Sequence, residues 1–239
     1  MNAMPRGPSL RAVLVDLDDT LYLHERFAEC ALRAAAREFR RRTGLPAAGF
    51  FAEAWRRYAL NGSRDNRAFS DIMRAHHCYT PQLEAQVVAA YRRCRPSLRP
   101  FPGVVLGLER LRREGVMLGL LTDGQSATQR AKIRAVGLAP FFDEIVVTGD
   151  FGSGWAKPAR HGFDLLLSRF GCTPREAVMV GDDPRTDGAG ARAAGLAMIR
   201  VRQGRYRLEE DPASDAEFAD VTLALAWILQ LRRLGHGSA

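Results

Sequence analysis

Lysine is nearly missing from this chain: of its 35 basic residues only Lys132 and Lys157 are lysines, and all the others are arginines. The formal net charge of +8 is therefore an arginine charge. It is spread through helical stretches such as LRAAAREFRRR, YRRCR and LERLRRE, among glutamates and apolar residues. Solvated helix faces account for that pattern, with a general attraction for anionic small molecules. No nucleic-acid motif accompanies the charge, which argues against a DNA or RNA partner. Cysteine is sparse as well. Cys30, Cys78, Cys94 and Cys172 are scattered, without C-x-x-C and without metal-type spacing to histidine, so free thiols are expected. No apolar run reaches the roughly 18 residues of a membrane span, and MNAMPRGPSLR lacks the apolar core of a secretory signal. The expectation is a cytoplasmic protein with no membrane partner, and monomer and homodimer both stay open. Internal repeats are absent too.

What the chain does contain is a series of short apolar runs: residues 12–17, 116–122, 144–149, 177–182 and 197–202. Between most of them lie stretches of helical periodicity that close on Gly115, Gly137 and Gly171. Short strands alternating with helices predict an α/β fold with a parallel sheet covered on both faces. The first interval breaks the rhythm. From residue 24 to 98 only helical patterns occur, in RFAECALRAAAREFRRR, AAGFFAEAWRRYAL and PQLEAQVVAAYRRCR. The predicted organisation is an α/β domain of residues 1–23 and 99–239 with an inserted helical domain of residues 24–98. Residues 203–220 are polar and read as loop, followed by a last amphipathic helix at VTLALAWILQLRR.

In open parallel sheets ligands bind outside the carboxyl ends of the strands, so the polar residues just past each run are the informative ones. They are Asp16, Asp18 and Thr20; then Thr122, Asp123 and Gly124; then Lys157 before Pro158; then Asp182, Asp183 and Asp187. Carboxylates this crowded repel one another unless a cation sits among them. Phosphoryl transfer explains the set. One carboxylate attacks phosphorus, a second two residues on serves as acid and base, and Mg²⁺ held by hard oxygen ligands offsets the repulsion. A threonine hydroxyl and a lysine ammonium stabilise the transferring group.

These residues resemble the haloacid dehalogenase-like hydrolase superfamily. Its D-x-D-x-T motif stands as Asp16-Leu17-Asp18-Asp19-Thr20, its strand ending in Thr or Ser as LGLLT with Thr122, its Lys-Pro as Lys157-Pro158, and its G-D-x-x-x-x-D as Gly181-Asp182 through Asp187. All four occur in the family's order. The resemblance implies a Rossmann-like, doubly wound core with a helical C1 cap. It implies an Mg²⁺-dependent phosphatase acting on a small phosphorylated metabolite, of the sugar phosphate or nucleotide type, through phospho-Asp16. Asp16, Asp18, Asp182 and Asp187 are the implied metal ligands, Asp18 through its carbonyl, with Asp183 and Asp187 also read as acting from farther out. Asp18 is the implied acid/base, and Thr122, Asp123, Gly124 and Lys157 surround the phosphoryl group. The dehalogenase branch lacks the second aspartate of the first motif, so Asp18 argues against that activity. A phosphomutase shares the same residues and stays open, as does a non-enzymatic phospho-acceptor or ligand-binding module. Asp123 departs from the Asn common in the family and is expected to pair with an arginine or stabilise its loop. Trp155 is expected to pack. Tyr22 and His24 follow the first motif as candidates for a cap hinge or an entrance, and Arg64, Asp65, Asn66 and Arg67 form a polar link that could read the substrate.

Overall fold

The computed structural model describes residues 4–6, 9–211 and 214–234. The chain divides into two compact units, residues 1–23 with 99–239, and residues 24–98. In the first unit Ala12–Val15 form β1, with all four side chains buried. That uniform burial is what a central parallel strand requires.

Residues 24–98 hold four helices: α1 (His24–Thr43), α2 (Ala47–Asn61), α3 (Ala68–Ala75) and α4 (Pro81–Arg92). Phe27, Ala31, Leu32, Ala35 and Phe39 recur at helical spacing along the buried stripe of α1. Phe39 stacks on Phe50 at 4.4 Å, and both join Ile72, Met73, Leu83 and Val87 in a core belonging to this unit. The start of α4 is fixed locally. Thr80 accepts from the Leu83 N–H at 3.0 Å, and Pro81 opens the first turn. The sequence reading has no counterpart for α3: its eight residues are too few to stand out from the polar links on either side.

The other unit continues with α5 (Val104–Arg113), β2 (Met117–Thr122), α6 (Ser126–Val136), β3 (Glu144–Val147), α7 (His161–Phe170), β4 (Ala177–Gly181), α8 (Ala189–Ala194), β5 (Ala197–Val201), β6 (Ala216–Phe218) and α9 (Val221–Arg233). The sheet runs β3-β2-β1-β4-β5-β6, every pair parallel. Leu14, Leu121, Phe163, Leu166, Met179 and Met198 fill the core on one face. Residues 203–220 are not all loop, which corrects the sequence reading. Ala216–Phe218 add a sixth strand on the edge beside β5, and three residues are too few to carry a period. No helix among the described residues is long and apolar enough to cross a membrane.

The strand order positions the site. β1 lies between β2 and β4, with Val15 opposite Leu120 on one side and Val180 on the other. The chain leaves β1 for one half of the sheet and later returns to the other. The carboxyl ends of β1, β2 and β4 therefore open on the crevice where strand order reverses.

Candidate active site

Asp16 is the first residue past β1, held by its N–H to the carbonyl of Val180 at 2.9 Å. The strand stops there, two residues short of the run read from sequence, because the backbone turns. Asp19 takes the left-handed conformation at φ 59°, which aspartate tolerates better than most residues, and Leu21 N–H bonds back to the Leu17 carbonyl at 3.0 Å. Thr20, fully buried, donates to Asp182 Oδ1 at 3.4 Å, joining the first motif to the end of β4.

Lys157 arrives from the loop after β3. Its ammonium, 6% exposed, donates to Asp16 Oδ1 at 2.5 Å, to Asp187 Oδ1 at 2.7 Å and to the Leu121 carbonyl at 3.2 Å. An ammonium has three N–H groups, and all three are used. Burial opposes the charge on Lys157, but Asp16, Asp187 and Asp123 outweigh it and hold the ammonium well above its ordinary pKa. Asp187 sits in the single π-helical turn Pro184–Gly188, and its second oxygen accepts the Asp183 N–H at 3.2 Å. Gly181 makes room for it, since a Cβ there would collide with the Asp187 carboxylate. Asp183 turns to its own loop, accepting from the Arg185 N–H at 3.0 Å and from Arg185 Nε at 3.3 Å.

The balance of charge at this point is acidic. Carboxylate oxygens of Asp16, Asp182 and Asp187 lie within 4.8 Å of one another, all three residues buried, against the single ammonium of Lys157. Burial lifts the Asp16 carboxyl well above the usual range; Lys157 pulls it down, and Asp187 and Asp18 push it up. Burial, then Asp187 and Asp16, lift Asp182 in the same way. Asp182 Oδ2 is buried with no hydrogen-bond partner among the described residues. A buried acceptor left empty costs about 1–3 kcal/mol. Hard oxygen donors, an unfilled acceptor and excess negative charge together fit a divalent cation of the Mg²⁺ kind.

Asp18 is held apart from this cluster. Its Oδ1 accepts from the Tyr22 hydroxyl at 2.5 Å, and its Oδ2 from Lys132 Nζ at 2.7 Å and Gln129 Nε2 at 3.2 Å. The same Gln129 nitrogen lies 2.5 Å from Thr122 Oγ1. Gln129 and Lys132 were not among the residues singled out from sequence. One signal was available for Lys132, its being one of two lysines in the chain. Tyr22 is buried on Asp18 rather than lining an entrance.

The remaining candidates fall outside the acid cluster. Asp123 accepts from the Thr148 hydroxyl at 3.0 Å and from the Lys157 N–H at 3.1 Å, so it fixes the loop that carries Lys157, with no arginine pair among the described residues. Gly124 follows at φ 124°, in the region glycine adopts freely. Trp155 stacks on Phe151 at 4.2 Å and leans on His161 at 5.2 Å. In the helical unit His24 Nδ1 meets the Tyr58 hydroxyl at 3.0 Å. Within that unit a cavity of about 250 Å³ is lined by Tyr58, Asp65, Asn66, Glu84, Tyr91 and Arg92 among others. Arg67 is exposed beside it.

Residues 10–195 match the family model of the haloacid dehalogenase-like hydrolases. The chain is 33% identical over 218 residues to the glyceraldehyde 3-phosphate phosphatase of Methanocaldococcus jannaschii, covering 86% of this chain and 91% of that one. It is 31% identical over 227 residues, 90% of each chain, to the phosphoserine phosphatase of Thermus thermophilus. The crystal structure of a HAD phosphatase from Thermococcus onnurineus matches with a TM-score of 0.67 at 25% identity, over 94% of this chain and all of that one.

Proposed function

Because the chain belongs to the haloacid dehalogenase-like hydrolases and is a phosphoric monoester phosphatase, we propose that it cleaves small phosphate esters in two steps through an aspartyl-phosphate on Asp16. The observation that carries this reading is the held carboxylate. Lys157 pins Asp16 Oδ1 at 2.5 Å, which leaves Oδ2 as the attacking atom.

In the first step Asp16 Oδ2 bonds to phosphorus, the ester P–O bond breaks, and protonated Asp18 gives its proton to the departing alkoxide. In the second, water attacks phosphorus, ionised Asp18 takes its proton, and the bond between phosphorus and Asp16 breaks to release phosphate. The two residues divide the work as nucleophile and acid/base. Gln129 already donates to Thr122 Oγ1, so the Thr122 hydroxyl directs its own proton to a phosphoryl oxygen. The charge of Lys157 acts on the same oxygens while its N–H groups keep Asp16 and Asp187 in place. Asp16 and Asp182 would hold Mg²⁺, with Asp187 in reach, and the family resemblance adds the Asp18 carbonyl. When bound, the ion neutralises part of the negative charge that repels an incoming phosphate.

We place the substrate among small phosphorylated metabolites in the cytoplasm. Two relatives are named for three-carbon esters, glyceraldehyde 3-phosphate and phosphoserine. The test is Mg²⁺-dependent release of inorganic phosphate from p-nitrophenyl phosphate and a panel of metabolite esters. Turnover that disappears in Asp16→Asn supports the proposal; a wild type inactive on every ester overturns it.

A further inference from the structure

Both lysines of this arginine-rich chain are buried, and each is paired with a different aspartate of the first motif. Lys157 holds Asp16, and Lys132, 4% exposed, holds Asp18 at 2.7 Å. Withdrawing an ammonium from water costs several kcal/mol unless it is paired, so Lys132 is not placed there by composition. Gln129, 2% exposed, stands one turn before it on α6. Its orientation follows from its partners. Asp18 Oδ2 already accepts from Lys132, so the group facing it is the amide nitrogen, and that nitrogen has two protons to give. One goes to Asp18 Oδ2 and the other to Thr122 Oγ1.

We propose that Lys132 and Gln129 are positioning residues for Asp18, with Gln129 setting the acid/base and the Thr122 hydroxyl in one fixed relation. This rests on Asp18 acting as the acid/base of the phosphatase. The Asp18 side chain is 28% exposed, so burial alone does not fix its rotamer. Donors on both of its oxygens, Tyr22 on one and the α6 pair on the other, hold it in a single orientation. Orientation of this kind converts a group that is merely near into one that reacts. The network also gives Thr122 a direction, because its oxygen is already an acceptor and its proton is left for the phosphoryl group.

The leaving group reads out the role of Asp18. A nitrophenolate departs without a proton, whereas an alkoxide needs one. The ratio kcat/KM covers only the steps up to departure of the alcohol. Wild type, Lys132→Met, Gln129→Leu, Tyr22→Phe and Lys132→Arg are compared on p-nitrophenyl phosphate and on two alkyl esters, glycerol 3-phosphate and phosphoserine. Lys132→Met and Gln129→Leu are expected to lose about tenfold or more in kcat/KM on the alkyl esters, within the range a general acid contributes. On the aryl ester they lose several-fold less. Tyr22→Phe, which removes a single hydroxyl, shows the same bias on a smaller scale, and Lys132→Arg recovers part of the alkyl activity. Equal losses on aryl and alkyl esters, or none, overturn the inference. The reading beneath it fails differently: it is the wild type that then turns over neither kind of ester, or Asp18→Asn that shows no alkyl bias.

Discussion

The two units treat charge in opposite ways. In the helical unit most ion pairs are local and at the surface, one helical turn apart: Arg33 with Glu29, Arg41 and Arg42 with Glu38, Arg56 with Glu53. In the α/β unit the pairs at the strand ends are buried or partly so and join distant stretches of chain, Lys157 to Asp16 and Asp187, and Lys132 to Asp18. An exposed pair is worth roughly 0–1 kcal/mol. A buried pair costs more to desolvate than a well-packed apolar substitute, so its retention calls for a reason other than stability. Charge in the helical unit decorates the structure, while charge at the crevice is there to act.

The sharpest way to break this contrast is Asp16→Asn. With the nucleophile gone, steady-state phosphate release is expected to fall by ~10³-fold or more. A comparable rate in the variant would make the buried cluster ornamental.

Next in size is the metal-linked effect at Asp182. Asp16 and Asp182 have folded pKa values raised above those of the unfolded chain. Their contribution to stability is therefore fullest below the ordinary aspartate value of about 4 and is lost as pH rises through the folded value. In chelator, Asp182→Asn is expected to melt above wild type at pH 7.5, by ~3 °C for each kcal/mol recovered, with a smaller gap at pH 5. Mg²⁺ should raise the wild-type midpoint at pH 7.5, raise it less at pH 5, and leave Asp182→Asn nearly unmoved. Differential scanning fluorimetry reads all of these.

Asp123→Ala is expected to have a smaller effect on both properties. It frees the Thr148 hydroxyl and the Lys157 N–H, costing about 1–3 kcal/mol in urea denaturation. It also lowers kcat by about tenfold as Lys157 loses its fixed loop.

The smallest effect belongs to the surface. Glu38 sits between Arg41 and Arg42, whose hydrogen bonds hold its carboxyl down to about 2. Such a group stabilises above the unfolded glutamate pKa and stops doing so as pH falls through the folded one. Glu38→Gln should still cost under about 1 kcal/mol at neutral pH and leave turnover alone. If it cost as much as Asp123→Ala, the distinction between the two units would collapse.

Legibility in the sequence follows the same division. The α/β architecture was readable because β1, β2 and β4 are apolar runs that end abruptly in polar residues. Asp16, Asp182, Asp187 and Lys157, singled out by position after those runs, are brought together in one buried cluster. Gln129 and Lys132 were hidden because their spacing on α6 is that of any helix, while their partner lies more than a hundred residues upstream. Asp123 carries a related lesson. Its place after a strand says where it is, not which way its carboxylate turns. The segments missed outright, α3, α8 and β6, are ones too short for a period to register.

One experiment reaches the core of this account: rapid acid quench during turnover of p-nitrophenyl phosphate, followed by peptide mass spectrometry. In the presence of Mg²⁺ a phosphate adduct should be found on the peptide bearing Asp16, and it should vanish in chelator. An adduct on another side chain, or turnover with no covalent phosphoenzyme at any quench time, would contradict it.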